Sequence, residues 1–334
     1  MHDRDSGTVT AVDPLTVAWT PGPTIEAPPE VAELRRAVES AGRSLLAIPD
    51  DALEARWAWP GADPDIDVDV RYGFYRILET LEAARADVLQ ALAASGAERP
   101  AGARRGASAT VARWSLHGLL LPLADDDLDR DPGGGEWTIR ETLGHVFSSQ
   151  RSYARFTAWF LTQAPSPAAP IPDALGEDLP ERLDEAAGTV ADVRRRLDDL
   201  LDLSMARLGS FADDDLTMPA RWSGGRVTVG FRIGRWTSHI REHTIQVEKT
   251  LAILGRAPTE VERLVRIVFE AYGRLEETVF GLGSDAVRAG PDDGPSAADV
   301  LGRAGREIAD LPAGILAAAG VTAGPPSTDQ GRSA

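Results

Sequence analysis

Between residues 30 and 318 the apolar residues recur mostly at three- and four-residue spacing, the period of a helix buried along one face. No run alternates polar and apolar convincingly enough to read as a strand, so the spacing predicts an all-α fold with little or no sheet. Helical segments are expected near 30–47, 67–95, 107–122, 138–163, 181–209, 228–254, 259–281 and 296–318. Asp131-Pro132-Gly133-Gly134-Gly135 reads as a loop, Pro165 to Pro172 as a Pro/Ala crossing, and Gly255 followed by Pro258 as a helix stop. Residues 1–29, rich in Pro, Thr and Asp, read as an extended arm, and 321–334 as a flexible tail.

One unit recurs: a helix, an acidic turn, a Trp and a second helix. It appears as Leu123 to Leu128 before Trp137 and again as Phe211 to Leu216 before Trp222. A fainter copy runs from Ile48 to Leu53 before Trp57, and a degenerate one from Leu282 to Val287. Four helical hairpins of this kind build the expected helices.

The net charge of −17 argues against nucleic acid and anionic membranes as partners, because an acidic surface repels both. With no cysteine, disulfides, thiolate zinc sites and Cys nucleophiles are excluded, and a metal must be held by His, Asp, Glu or water. The first residues, Met1 to Asp5, lack the apolar core of a signal peptide, and no apolar run approaches the roughly 20 residues of a membrane span. A cytoplasmic protein is therefore expected, as a monomer or homodimer acting on a small molecule. Lys249 is the only lysine, which with the abundant Ala, Gly and Asp suggests a high-GC bacterial genome.

Three of the five histidines fall in one arrangement. Thr138-Ile139-Arg140-Glu141 is a capping box that starts a helix, and His145 lies about two turns in, among Ile139, Leu143, Val146 and Phe147. His239 and His243 stand at i and i+4 on a second helix, so their imidazoles share a face and can share a metal. A lone His is more often a hydrogen-bonded core or surface residue; an i,i+4 pair with a third His on a repeat-related helix is harder to explain that way. His2 lies in the arm, and His117 reads as structural, or less favourably as a pocket residue. Glu242 is either a general base or carboxylate partner near the metal, or a solvated residue between two ligands. Trp137, Phe147, Arg235, Trp236 and Gln246 are candidate pocket residues, Gln246 also a partner for His243.

Glu136-Trp137-Thr138-Ile139-Arg140-Glu141-Thr142-Leu143-Gly144-His145 and His239-Ile240-Arg241-Glu242-His243-Thr244-Ile245-Gln246, in that order, resemble the two motifs of the DinB/YfiT-like metalloenzymes. The resemblance covers about residues 107–255. It implies an up-down-down-up four-helix bundle, with His145, His239 and His243 holding a divalent ion, often zinc or nickel, that keeps open or water-filled positions. It also implies two chemistries: thiol-dependent S-transfer or isomerisation on a small electrophile, with a low-molecular-weight thiol as cosubstrate, or hydrolysis by metal-bound hydroxide. Some thiol-dependent relatives carry Glu where this chain has His239. A non-catalytic metal-binding or vestigial bundle, acting as sensor or interaction module, is the third reading. His239-x-x-Glu242-His243 also matches an inverted zinc-protease pattern, but that needs a mixed domain with strands and leaves His145 without a role.

The expected organisation is an arm (1–29), an N-terminal helical hairpin (30–100), a DinB-like metal-binding bundle (107–255), a C-terminal helical hairpin (256–320) and a tail (321–334). The flanking hairpins are expected to form a second, degenerate bundle, in which Arg76 and Leu301 fall roughly where ligands might have stood.

Overall fold

The computed structural model describes residues 28–59, 66–163, 169–176, 181–290 and 294–322. His2, nearly all of the expected arm and tail, and part of the Pro165 to Pro172 crossing lie outside the described residues. The helices are α1 (Pro29–Leu45), α2 (Val70–Ala94), α3 (Ala101–Gly106), α4 (Ala109–Leu120), α5 (Ile139–Leu161), α6 (Arg182–Glu185), α7 (Val190–Leu208), α8 (Asp213–Leu216), α9 (Val229–Ile253), α10 (Glu260–Val279), α11 (Ser284–Arg288) and α12 (Ala297–Ala318). Among them no helix is long and apolar enough to cross a membrane.

The long helices start where side chains can satisfy their first free N–H groups. Thr138 with Glu141, Thr189 with Asp192, Thr259 with Glu262 and Ser296 with Asp299 form capping boxes; Asp69 and Thr228 cap α2 and α9. Two departures from the sequence expectation have local causes. The segment expected as one helix over 181–209 breaks into α6 and α7, because Gly188 turns left-handed (φ 101°) and Thr189 opens a new capped helix. Two short antiparallel hairpins also appear: β1 (Arg56–Trp57) with β2 (Val68–Asp69), and β3 (Pro219–Trp222) with β4 (Gly225–Thr228). The second is closed by Ser223 and Gly224, both at positive φ (43° and 84°), the two-residue turn whose twist matches paired strands.

The apolar faces gather into two cores. One joins α1, α2, α10 and α12 through residues such as Leu34, Phe74, Ile77, Val265, Phe269, Leu301 and Ile308. The other joins α4, α5, α7 and α9, with α3, through Leu116, Leu143, Phe147, Leu197, Leu201, Ile233 and Trp236. Each acidic turn is a short helical segment: single 3₁₀ turns at Asp50–Ala52 and Asp125–Asp129, then α8 and α11. Two of these turns do the same work in different bundles. Asp125 Oδ1 accepts from Val190 N (2.8 Å) at the start of α7, and Asp50 accepts from Glu260 N (2.8 Å) and Val261 N (3.0 Å) at the start of α10.

The bundles meet along α4 and α10. Gly118 and Gly273 allow the approach, since a Cβ on either would come within 2.9 Å of opposing backbone, at Arg266 Cα and Val111 Cα. Beside them lies a buried ionic cluster. Glu276 accepts from Arg113 Nη2, from Arg35 Nη2 (2.5 Å), from Trp114 Nε1 (2.7 Å) and from the Tyr272 hydroxyl (3.2 Å). Burial disfavours its charge, yet Arg113 and Arg35 outweigh that and hold its pKa at about 2. Asp202 accepts from Arg113 Nη1 (2.8 Å) and Arg35 Nη1 (3.0 Å). Removing one member of such a cluster leaves unpaired charge in the interior. Glu276→Ala is therefore expected to cost about 3–5 kcal/mol, read from the denaturant midpoint. A loss under about 1 kcal/mol, the worth of a surface pair, contradicts the assignment.

Candidate metal centre

The α5 capping box closes with Thr138 Oγ1 accepting from Glu141 N (3.1 Å) and Glu141 Oε2 from Thr138 N (2.8 Å). That start sets the rotation of α5, so His145 projects toward α9, its ring 5.4 Å from Trp137. On α9, begun by Thr228, His239 and His243 face it from successive turns. The three Nε2 atoms converge. His239 Nε2 lies 3.3 Å from that of His145 and 3.1 Å from that of His243, and all the potential ligand atoms are within 4.8 Å of one another.

These separations suit an ion. Tetrahedral ligands at about 2.0–2.1 Å from a metal stand roughly 3.3 Å apart. His243 Nδ1 donates to Gln246 Oε1 (2.8 Å), which leaves the Nε2 lone pair pointing inward. All three rings are held neutral. Burial first, then the neighbouring His243, lowers His145 to about 4; burial, His243 and His145 lower His239 to about 3; burial also lowers His243. Neutral imidazoles with converging lone pairs cannot all hydrogen-bond to one another, and a shared cation resolves the conflict. The Nδ1 atoms of His145 and His239 are buried without a hydrogen-bond partner.

The cluster opens into a pocket of about 440 Å³. Ser149, Ser152, Tyr153 and Phe156 line it from α5, and Arg232, Arg235 and Glu242 from α9. The β3–β4 hairpin contributes Trp222 and Ser223. Ser223 is the only non-glycine at positive φ among the described residues, strain that places it at the pocket wall. The Ser149 hydroxyl is 3.5 Å from His145 Nε2.

The other sequence-based candidates divide. Arg235 lines the pocket, Gln246 holds His243, and Trp137 lies beside His145 with its ring tilted 57° to the imidazole. Phe147 and Trp236 do not line it: both are fully buried in the bundle core, because the apolar stripes of α5 and α9 run one position away from the ligand stripe. Glu242 is committed to Arg235, with bonds of 2.6 and 2.8 Å, and that hydrogen bond keeps its carboxyl below the usual range. His117 sits apart, bonded to Asp198 (2.9 Å) where the bundles meet. The residues that sequence reading missed on α5 and α9 continue the ligand stripes at helical spacing; in the hairpin, Trp222 is the Trp of the recurring unit and Ser223-Gly224-Gly225 a turn signal, but the four-residue strands are too short to show alternation.

The other bundle shows what stands at equivalent places. His145 is seven residues past its N-cap Thr138, and His239 eleven past Thr228. Seven past Asp69 is Arg76, and eleven past Ser296 is Glu307. These two form an ion pair (2.5 Å) with Thr80 also donating to Glu307 (2.9 Å). Glu307 thus stands as far past its N-cap as His239 does past Thr228, while Leu301 is buried in the core.

Residues 109–247 match the model of the DinB superfamily. No curated protein matches the chain. Among solved structures, YfiT from Bacillus subtilis, titled "a probable metal-dependent hydrolase with an unusual four-helix bundle topology", is 16% identical, with 61% of this chain and 99% of that chain covered. At a TM-score of 0.32 the two backbones overlap too loosely for that likeness to carry an argument.

The depressed histidines set a pH dependence. An unfolded chain binds a proton at His239 near pH 6.5 that the folded site refuses until about 3. The unfolded state then binds more protons, so stability falls as pH drops below 6.5, by about 1.4 kcal/mol per pH unit for this group. Chelator-treated protein is expected to lose less stability between pH 7 and 5 as His239→Gln than as the parent. Equal losses in denaturant titrations rule out a neutral His239.

Proposed function

As the chain carries a DinB superfamily domain at residues 109–247, we propose that it is a metal-dependent enzyme. His145, His239 and His243 hold the ion, zinc or nickel, and the reaction is thiol-dependent S-transfer or isomerisation on a small electrophile. The observation that carries this reading is the convergence of three neutral imidazole nitrogens at the end of an open pocket. An open pocket also favours catalysis over a sealed structural ion.

When bound, a divalent ion supplies Lewis acidity to a thiol or a water. The residues around it favour the thiol. A thiol, with an ordinary pKa near 8.5, gives up its proton without a dedicated base. A water attacking an ester or amide gains from one, and the carboxylate placed for that task, Glu242, has both oxygens on Arg235. Gln246 fixes the tautomer of His243, while Trp222, Tyr153 and Phe156 give the electrophile an apolar wall. Hydrolysis is the second reading, favoured by the exposure of the pocket and its three serine hydroxyls.

Elemental analysis of the purified protein is expected to find one equivalent of metal per chain. His243→Ala should weaken binding by roughly 100-fold or more, since even the loss of an outer hydrogen-bond partner costs about 10–100-fold. Metal bound as tightly by the variant removes the assignment. Glu242→Gln separates the chemistries in a screen of thiol conjugation against ester hydrolysis. Thiol transfer should change by less than about tenfold, whereas loss of a general base slows a reaction by about 10²–10⁴.

A further inference from the structure

The imidazoles share the pocket with three charged side chains from α9: two guanidinium groups, Arg232 and Arg235, and a single carboxylate, Glu242. Glu242 is already taken by Arg235 in a two-bond pair. Arg232 is 2% exposed and has no carboxylate partner among the described residues. Its Nε donates to Thr157 Oγ1 (3.1 Å) and its Nη1 to the Arg221 carbonyl (2.5 Å). Its Nη2 reaches only the carbonyls of Ser152 and Tyr153, at 3.4 and 3.5 Å. Five N–H donors thus meet four neutral oxygens, two of them at the limit of a hydrogen bond. The rings of Phe160 and Trp222 lie 5.5 and 5.8 Å from its guanidinium carbon, a contact that suits a cation but does not neutralise it. Arg235 Nε is also buried without a hydrogen-bond partner.

A buried, unneutralised cation is costly, and evolution tolerates one where a ligand supplies the opposite charge. Here it sits in a chain of net charge −17, so the local excess of positive charge runs against the surface as a whole. We propose that the pocket takes a small organic carboxylate as substrate, and that Arg232 recognises the carboxylate. The planar guanidinium accepts a carboxylate edge-on, with two parallel N–H bonds. Trp222 and Tyr153, packed on each other with ring centroids 4.6 Å apart, form one apolar wall for the organic part in the pocket that the imidazoles also line. This rests on the reading of the pocket as the active site, but not on the ion, because Arg232 lies outside the ligand cluster.

The test uses the full chain, as purified and after chelator treatment, with three probes of matched size: 3-phenylpropionate, 3-phenylpropanol and 3-phenylpropylamine. Binding is followed by calorimetry and by tryptophan fluorescence. In the chelator-treated protein the carboxylate is expected to bind at least about tenfold more tightly than the alcohol, the scale of one charge-assisted hydrogen bond, and the amine most weakly. Arg232→Gln should bring the carboxylate to the level of the alcohol, and Arg232→Lys should keep part of the preference. The double variant Arg235→Gln with Glu242→Gln, which removes a neutral pair, should keep all of it. Equal binding of carboxylate and alcohol by the parent overturns the proposal, as does an unchanged ratio in folded Arg232→Gln or no binding of any probe. If Arg232→Gln does not fold, the probe ratio of the parent and that of Arg232→Lys decide. Absence of metal with the carboxylate preference intact defeats the metal reading alone.

Discussion

The carboxylate of Glu276 ties together two bundles that also meet at a glycine-smoothed crossing and through ion pairs such as Arg194 with Glu39 and Arg266 with Glu248. It lies on α10, yet two of its donors, Arg113 and Trp114, come from α4 and a third, Arg35, from α1. Asp202 on α7 takes the remaining bonds of the same two arginines. Four helices from both cores are thereby held around one desolvated cluster. Apolar contact is tolerant of small slides, whereas bonds to a buried charge are not, because each lost bond leaves charge in a medium that cannot solvate it. The register of α4 and α7 that follows is the one against which α5 and α9 pack, and those two carry the histidines.

The centre itself works by withholding solvent. Burial disfavours the charge of all three converging imidazoles, and the neighbouring His243 adds to it at His145 and His239. The pocket beyond them has the opposite character from the acidic exterior, with two arginines against one glutamate. An imidazole cluster and a buried guanidinium thus line the same cavity.

The helices were readable because their apolar stripes are continuous and their starts carry capping boxes; Thr138, Thr259 and Ser296 open helices close to the expected positions. The histidines were readable as a group because i,i+4 spacing on a helix has one geometric outcome. What remained hidden depends on contacts between distant segments. Phe147 and Trp236 have the composition of pocket walls, and only the rotation of each helix against its neighbours turns them into the core. Arg232 looks like any surface arginine until Thr157 and the hairpin close over it. The break before Thr189 needed the recognition that Gly188 ends one helix and the capping box begins the next. Trp222 and Ser223 reach the pocket through a hairpin too short to show periodicity.

The matching clasps made by Asp125 and Asp50 differ in one respect, the length of chain they close. Asp125 reaches a helix start 65 residues on, while Asp50 reaches one 210 residues on. During synthesis α4 through α9 are complete while the partners of α1 and α2 are still unmade. The histidine-bearing bundle can therefore assemble locally and early, and the outer bundle closes last, by contacts of high sequence separation that form slowly. Until α10 and α12 arrive, α1 and α2, which pack on those two helices rather than on each other, keep their apolar faces exposed. Among the described elements, α1 and α2 then face the longest wait for their packing partners, and with it the longest exposure to misassociation.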